Sequence, residues 1–182
     1  MIKTDLYLGG CLDVMAELPA QSIDMVFCDL PYGITAHAWD AVIPFDKLWA
    51  AYAQLVKPRG AIVLTATGAF AAALIMSKPE WYRYEWVWDK IQPVGFQIAK
   101  YRPMQRHEWV IVFSQESPNY YPIVEELPEP TTGGGTKVPS KVSPLSKDDG
   151  LKREYFYKHP QSILTGEGDI IRLSKGGDRH QH

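Results

Sequence analysis

Apolar positions follow two periods along this chain, and the alternation between them predicts its elements. Leu12, Met15 and Leu18 recur at helical spacing until Pro19 ends the run. Phe45, Leu48, Tyr52 and Leu55 mark one face of a second helix, and a third is predicted from Ala69 to Met76. Between them lie runs of strand length: Leu6-Tyr7-Leu8, Ile23 to Cys28, Ala61 to Thr65, Tyr84 to Trp88 and Trp109 to Phe113. The run ending at Cys28 reads as a buried strand. Gly9-Gly10 breaks the first run, and Lys57-Pro58-Arg59-Gly60 reads as the turn that stops the second helix. Strands alternating with helices predict an α/β fold with a doubly wound, mostly parallel sheet.

From Ser114 onward the pattern changes. Prolines at 118, 122, 128, 130, 139 and 144 and the run Gly133-Gly134-Gly135 make regular structure improbable through most of that stretch. Basic and aromatic residues then interleave from Lys152 to His159, and a last strand is predicted over Asp169-Ile170-Ile171-Arg172-Leu173. No internal repeat is present.

With 182 residues, 46% of them hydrophobic, the chain suffices for one cored domain plus an irregular segment. A formal charge of −2 argues against binding nucleic acid through bulk charge. Its distribution matters more: residues 1–60 hold four Lys or Arg against seven Asp or Glu, whereas 131–182 hold nine against six. Cys11 and Cys28 both fall in segments read as buried; two cysteines make no disulfide framework, which fits a reducing, cytoplasmic setting. No signal core follows Met1, and no stretch approaches a membrane span, so no membrane partner is expected.

The chemistry is expected at Asp29-Leu30-Pro31-Tyr32-Gly33, directly after the second strand. An acidic residue at the carboxyl end of a strand, a rigid proline and an aromatic offer a carboxylate, a backbone carbonyl and a stacking face together. Those groups suit a flat heterocycle bearing an exocyclic amine. The amine nitrogen is a poor nucleophile because its lone pair is delocalised into the ring. Asp29 would accept one amino hydrogen and the carbonyl of Leu30 or Pro31 the other, holding electron density on nitrogen while Tyr32 stacks on the ring. Against this stands a bland use of the same residues, in which Asp29 caps a turn, Pro31 shapes a loop and Tyr32 fills a gap.

The surroundings decide between them. Leu12-Asp13-Val14-Met15 with Leu18-Pro19 precede the motif, Trp39-Asp40 follows it, and Lys57-Pro58-Arg59-Gly60 leads into a strand. Trp88-Asp89-Lys90, Phe96, Ala99-Lys100, His107-Glu108 and Val112-Phe113 come after in order. With this ordered set the chain resembles the AdoMet-dependent DNA amino-methyltransferases, adenine-N6 and cytosine-N4, in the permuted order that places the catalytic motif before the cofactor half. The resemblance implies S-adenosyl-L-methionine as methyl donor, double-stranded DNA as substrate and a base flipped out of the helix. It implies Asp29, Leu30, Pro31 and Tyr32 as catalytic residues, and Asp29 and Gly9 as cofactor contacts. An acidic first motif position is more usual for adenine, serine for cytosine, so Asp29 tilts the expectation to adenine.

Three departures stand out. Leu30 replaces the common proline but keeps the carbonyl. Gly10 replaces the usual acidic residue after the glycine aligned with Gly9. The chain ends at Arg179-His180-Gln181-His182, where the family continues into a histidine-proline-threonine-glutamine-lysine-proline segment and the glycine-rich cofactor loop. Gly166-Glu167-Gly168 reads as a turn rather than that loop. The expected organisation is therefore 1–114 as the catalytic part, 115–175 as the target-recognition region and 176–182 as the start of a missing cofactor half. A homodimer or a complementing cofactor-half chain is the expected protein partner. The rival expectation is an inactive DNA-binding remnant, and methylation of RNA or of a protein glutamine amide is a third.

Other motifs carry less. Trp39, Lys152, Arg153 and Lys158 are candidate DNA contacts, the basic ones to phosphate. His107-Glu108 reads as framework before a buried strand, and His159, His180 and His182 lack metal-ligand spacing. Trp86 and Trp88 share one side of a strand and read as core. Cys28 as a nucleophile is disfavoured, since amino methylation needs no covalent adduct with the base.

Overall fold

A computed structural model describes residues 3–133 and 153–165. Its elements run α1 (Cys11–Glu17), β1 (Ile23–Asp29), α2 (Phe45–Leu55), β2 (Val56–Ala66), α3 (Gly68–Ser77), β3 (Tyr82–Val94), a 3-10 turn at Phe96–Ile98, β4 (Gln105–Phe113), β5 (Glu125–Gly133), β6 (Arg153–Lys158) and β7 (Ile163–Thr165). Two compact units result, one comprising the chain through Asn119 with the segment from Ser162, the other Tyr120–Gln161.

The first unit is α/β. Its sheet runs β1-β2-β4-β3-β7, with β1·β2 and β3·β7 parallel and β4 antiparallel to both β2 and β3. The reason lies in the connections. Helix α2 carries the chain back across the sheet, so β2 starts where β1 started, whereas β3 reaches β4 without an α-helix and must reverse. The α/β class follows from the alternation; the antiparallel strand between β2 and β3 is the addition.

Helix α2 buries Leu48, Trp49, Tyr52 and Leu55, the stripe that its periodicity predicts with Trp49 added. The Trp49 indole N–H donates to Ser77 Oγ at 2.8 Å and ties α2 to the end of α3. These residues join Ile62, Leu64, Ala66, Ile111 and Phe113 of β2 and β4 in the main core. The other face of the sheet has a smaller cluster built from strands, in which Val63, Val110 and Val112 lie under the half-buried Tyr84, Trp86 and Trp88.

Several expectations change. Leu6-Tyr7-Leu8 forms no strand and is exposed, because no neighbour among the described residues offers it a ladder. Strand β1 forms as expected but is not buried. Among the described residues it ends the sheet, and its alternate residues Met25 and Phe27 are 60% and 65% exposed on the face away from the helices. For the same reason Cys28 is only half-buried, and Cys11, opening α1, is exposed; both are free thiols. Lys57 to Gly60 is not a turn: α2 passes directly into β2, and the register with β1 jumps between Ile23↔Val56 and Met25↔Ala61. A Cβ at Gly60 would meet the Asp24 carbonyl oxygen at 2.8 Å, so glycine permits that close approach.

The second unit holds regular structure where little was expected. Strands β5 and β6 pair antiparallel, with the register jumping from Glu126↔Tyr157 to Thr131↔Tyr155. Pro128 and Pro130 lie inside that jump, where they have no N–H to give a ladder. The expected strand Asp169–Leu173, the turn at Gly166-Glu167-Gly168, Lys152, His180, His182 and the 176–182 segment lie outside the described residues. Among the described residues no helix is long and apolar enough to cross a membrane.

Candidate active site

Asp29 is the last residue of β1, and register places it beside Thr65 of β2. Leu30 then turns into the main core, 6% exposed, and anchors the motif by its side chain. Gly33 closes the motif at φ +70°, and a Cβ there would stand 2.8 Å from Val42 Cγ2, so both backbone and space demand glycine.

The loop beyond Gly33 is folded around Asp40. Its Oδ1 accepts the Gly33 N–H at 2.8 Å, and its Oδ2 accepts those of Ile34 at 2.9 Å and Thr35 at 2.7 Å. Asp40 is itself 7% exposed. The Gly33 N–H, then the Thr35 hydroxyl and the remaining backbone donors, hold its carboxyl down to about 2. The folded value is below the ordinary one near 3.9, so this contribution to stability is complete above about pH 4 and lost as pH falls toward about 2. Asp40→Asn should therefore lower the melting temperature at pH 7, and the difference from wild type should shrink as the pH approaches 2. A difference that stays constant down to pH 2 would show that the carboxylate is not the anchor.

At the strand end, three oxygens meet. The Thr65 hydroxyl donates to Asp29 Oδ1, and the Tyr32 hydroxyl donates to the same oxygen at 2.8 Å while lying 3.0 Å from Thr65 Oγ1. Thr65 is buried and Asp29 is exposed. The Tyr32 ring leans on Phe70 of α3, centroids 4.9 Å apart and planes at 31°, and Phe70 in turn meets Phe45 at 5.9 Å. Burial first pushes the Tyr32 phenol up; the Thr65 hydrogen bond opposes this and the Asp29 carboxylate adds to it, so Tyr32 stays a protonated donor. Burial, then Cys11 and Asp29, also push the Cys28 thiol up, which disfavours a thiolate nucleophile there.

Trp88-Asp89-Lys90 and His107-Glu108, apart in the chain, come together across β3 and β4. Trp88 pairs with Glu108 and Asp89 with His107. Lys90 Nζ lies 2.5 Å from Glu108 Oε1, and the Arg106 guanidinium grips Asp89 through two bonds of 2.6 and 2.7 Å. The Gln105 amide bonds the Thr67 hydroxyl just beyond β2. His107-Glu108 thus sits in strand pairing, with Glu108 committed to an ion pair.

The remaining candidates are not gathered at Asp29. Gly9 is exposed ahead of α1, where a Cβ would stand 3.3 Å from Val14, and no described hydrogen bond links it to the motif. Trp39 is 72% exposed and stacks on His37, centroids 5.5 Å apart. In the second unit Lys158 lies 3.9 Å from Glu125 in an exposed pair, and Arg153 opens β6 opposite Gly133. A cleft of about 370 Å³ lined by Asp46, Trp49, Ala50, Ala53, Ser77, Lys78 and Trp81 shares no residue with the motif.

Three partners of the motif escape sequence reasoning: Thr65, Phe70 and Asp40's role in the loop. The carboxylate of Asp40, seven residues past Gly33 in a loop, was a usable signal for loop capping. Thr65 and Phe70 had none, since each is distant in the chain and reads as ordinary strand or helix.

No family model matches the chain. Among solved structures it is similar to the M1.HpyAVI–SAM complex, at 19% identity and a TM-score of 0.46, covering 63% of this chain and 56% of that one. It is also similar to PvuII DNA methyltransferase, described as cytosine-N4-specific, at 14% identity and a TM-score of 0.45, covering 69% and 50%. The chain spans about half the length of these two structures.

Proposed function

We propose that this chain carries the amine-activating part of a DNA methyltransferase, moving a methyl group from S-adenosyl-L-methionine to the exocyclic amine of a flipped base, adenine N6 before cytosine N4. The observation that carries this reading is the Asp29 carboxylate: it is exposed at a strand end, with Oδ1 held by two hydroxyls, beside an aromatic ring backed by Phe70. Among the described residues no hydrogen bond reaches Oδ2, which would accept one amino hydrogen. The carbonyl of Leu30 or Pro31 would accept the other, keeping the lone pair on nitrogen. Tyr32 would stack on the base, helping to offset an unstacking cost of roughly a few kcal/mol.

Adenine and cytosine present the same pair of amino hydrogens to such a site. The acidic residue at Asp29, in place of serine, is what favours adenine. Target contacts would come from Trp39 and from the second unit, where Arg153, Lys158 and Lys152 would meet phosphates. The exposed Lys158–Glu125 pair is weak enough for a phosphate to displace.

S-adenosyl-L-methionine supplies an electrophilic methyl group when bound. The described residues do not by themselves fit it: Gly9 is exposed, and Gly10 carries no side chain where the resemblance expects an acidic one. A complementing cofactor-half chain or a second copy would complete the site. That same observation favours a second reading, a DNA-binding protein that transfers nothing.

Incubation of the chain, purified in whatever assembly it forms in its native cells, with tritiated S-adenosyl-L-methionine and duplex DNA, followed by mass analysis of the nucleosides, separates the readings. Methylated adenine is expected; methylated cytosine would revise the base. No transfer, with no heat on calorimetric titration of the donor into the chain, would leave the second reading.

A further inference from the structure

We propose that Thr65 is a positioning residue: its buried hydroxyl ties Oδ1 of Asp29 to the end of β2 and so presents Oδ2 outward as the working acceptor. What the carboxylate is presented to rests on the methyltransferase reading. The holding itself rests on the geometry.

Register is the first support. Asp29 and Thr65 are direct partners across the parallel β1·β2 pair, so the hydroxyl is delivered by the sheet rather than by a loop. Burial is the second. Thr65 is 5% exposed, and a hydroxyl so placed needs a partner; it donates to Asp29 and lies 3.0 Å from the Tyr32 oxygen. Proton inventory is the third. Thr65 and Tyr32 carry one hydroxyl proton each, and both go to Oδ1, whose two lone pairs accept them. Oδ1 is thereby saturated by hydroxyl donors, and rotation of the carboxyl group about its last bond is blocked. The Tyr32 oxygen sits in the same cluster and its ring rests on Phe70, so the aromatic face and the carboxylate move as one body. A carboxylate on an edge strand, exposed to solvent, would otherwise sample several orientations. The match of acceptor to amine would then be made only part of the time.

Thr65→Val keeps the shape and removes the hydroxyl, and Thr65→Ser keeps the hydroxyl. In protein labelled with carbon-13 at the aspartate carboxyls, exchange from H2O into D2O should shift the Asp29 carboxyl resonance through its hydroxyl donors. That shift should shrink in Thr65→Val and return in Thr65→Ser, whether or not the chain transfers methyl groups. In the transfer assay Thr65→Val should lower kcat by roughly 10- to 100-fold with the KM for DNA within about threefold, and Thr65→Ser should stay within about threefold of wild type. An isotope shift indifferent to both variants overturns the proposal, as does undiminished turnover in Thr65→Val. Equal losses in Thr65→Val and Thr65→Ser, with lowered melting temperatures in both, would reduce Thr65 to a packing residue and also overturn it. A wild type that shows the isotope pattern and no transfer overturns the methyltransferase reading while the holding of Asp29 stands.

Discussion

Asp29→Ala is expected to lower methyl transfer by at least about 10²- to 10³-fold, the scale on which loss of one preorganised group at a reacting centre is felt. Binding of duplex DNA should change by no more than about twofold, because phosphate contacts supply most of the affinity and Asp29 makes none. The fold should survive, since the carboxylate is exposed and its two donors, Thr65 and Tyr32, can still bond each other at 3.0 Å. Filter-binding and tritiated-methyl assays on the same preparation provide both readouts. Turnover retained in Asp29→Ala would sink the assignment of the acceptor, and joint loss of turnover and DNA binding would recast Asp29 as a structural residue.

Phe113→Ala is expected to give the largest loss of stability, about 3–5 kcal/mol, by lost transfer energy and by the cavity left behind. Phe113 is fully buried near the end of β4 and packs against Trp49 of α2 at 4.9 Å and Tyr82 of β3 at 6.2 Å. It therefore clamps the main helix to two strands, and few neighbours can collapse into its space without moving backbone. For a chain of this size the melting temperature should fall by roughly 6–20 °C. Urea denaturation should show a lower midpoint with an unchanged slope, since the surface exposed on unfolding is nearly the same. A loss under about 1 kcal/mol would mean that the core is centred elsewhere.

These two residues differ in how visible they were beforehand. Asp29 could be singled out from its position after an apolar run and before Pro31 and Tyr32. Phe113 could be placed in a strand, but nothing local says that its strand lies between β2 and β3, antiparallel to both. The same holds for Thr65. As a residue it is an ordinary strand threonine, and only its register against Asp29 makes it a hydrogen-bond donor to the motif. Phe70 reads as a core aromatic in a helix of near-uniform apolarity and turns out to back the Tyr32 ring. Strand β1 shows the opposite error. Its composition suits burial on both sides, yet among the described residues it ends the sheet, and Met25 and Phe27 face outward.

Local order was legible in the chain because it depends on near neighbours. Helical spacing in α2 and the strand before Asp29 follow from backbone geometry and from which face of an element is apolar. The motif was legible for the same reason, as five adjacent residues whose side chains and carbonyls share one turn. Strand order, the exposure of β1, and the meeting of Asp29, Tyr32, Thr65 and Phe70 could not be read that way. They depend on which elements pair, and pairing is set by the summed burial and ladder energies of segments far apart in sequence. No window of neighbouring residues contains that sum.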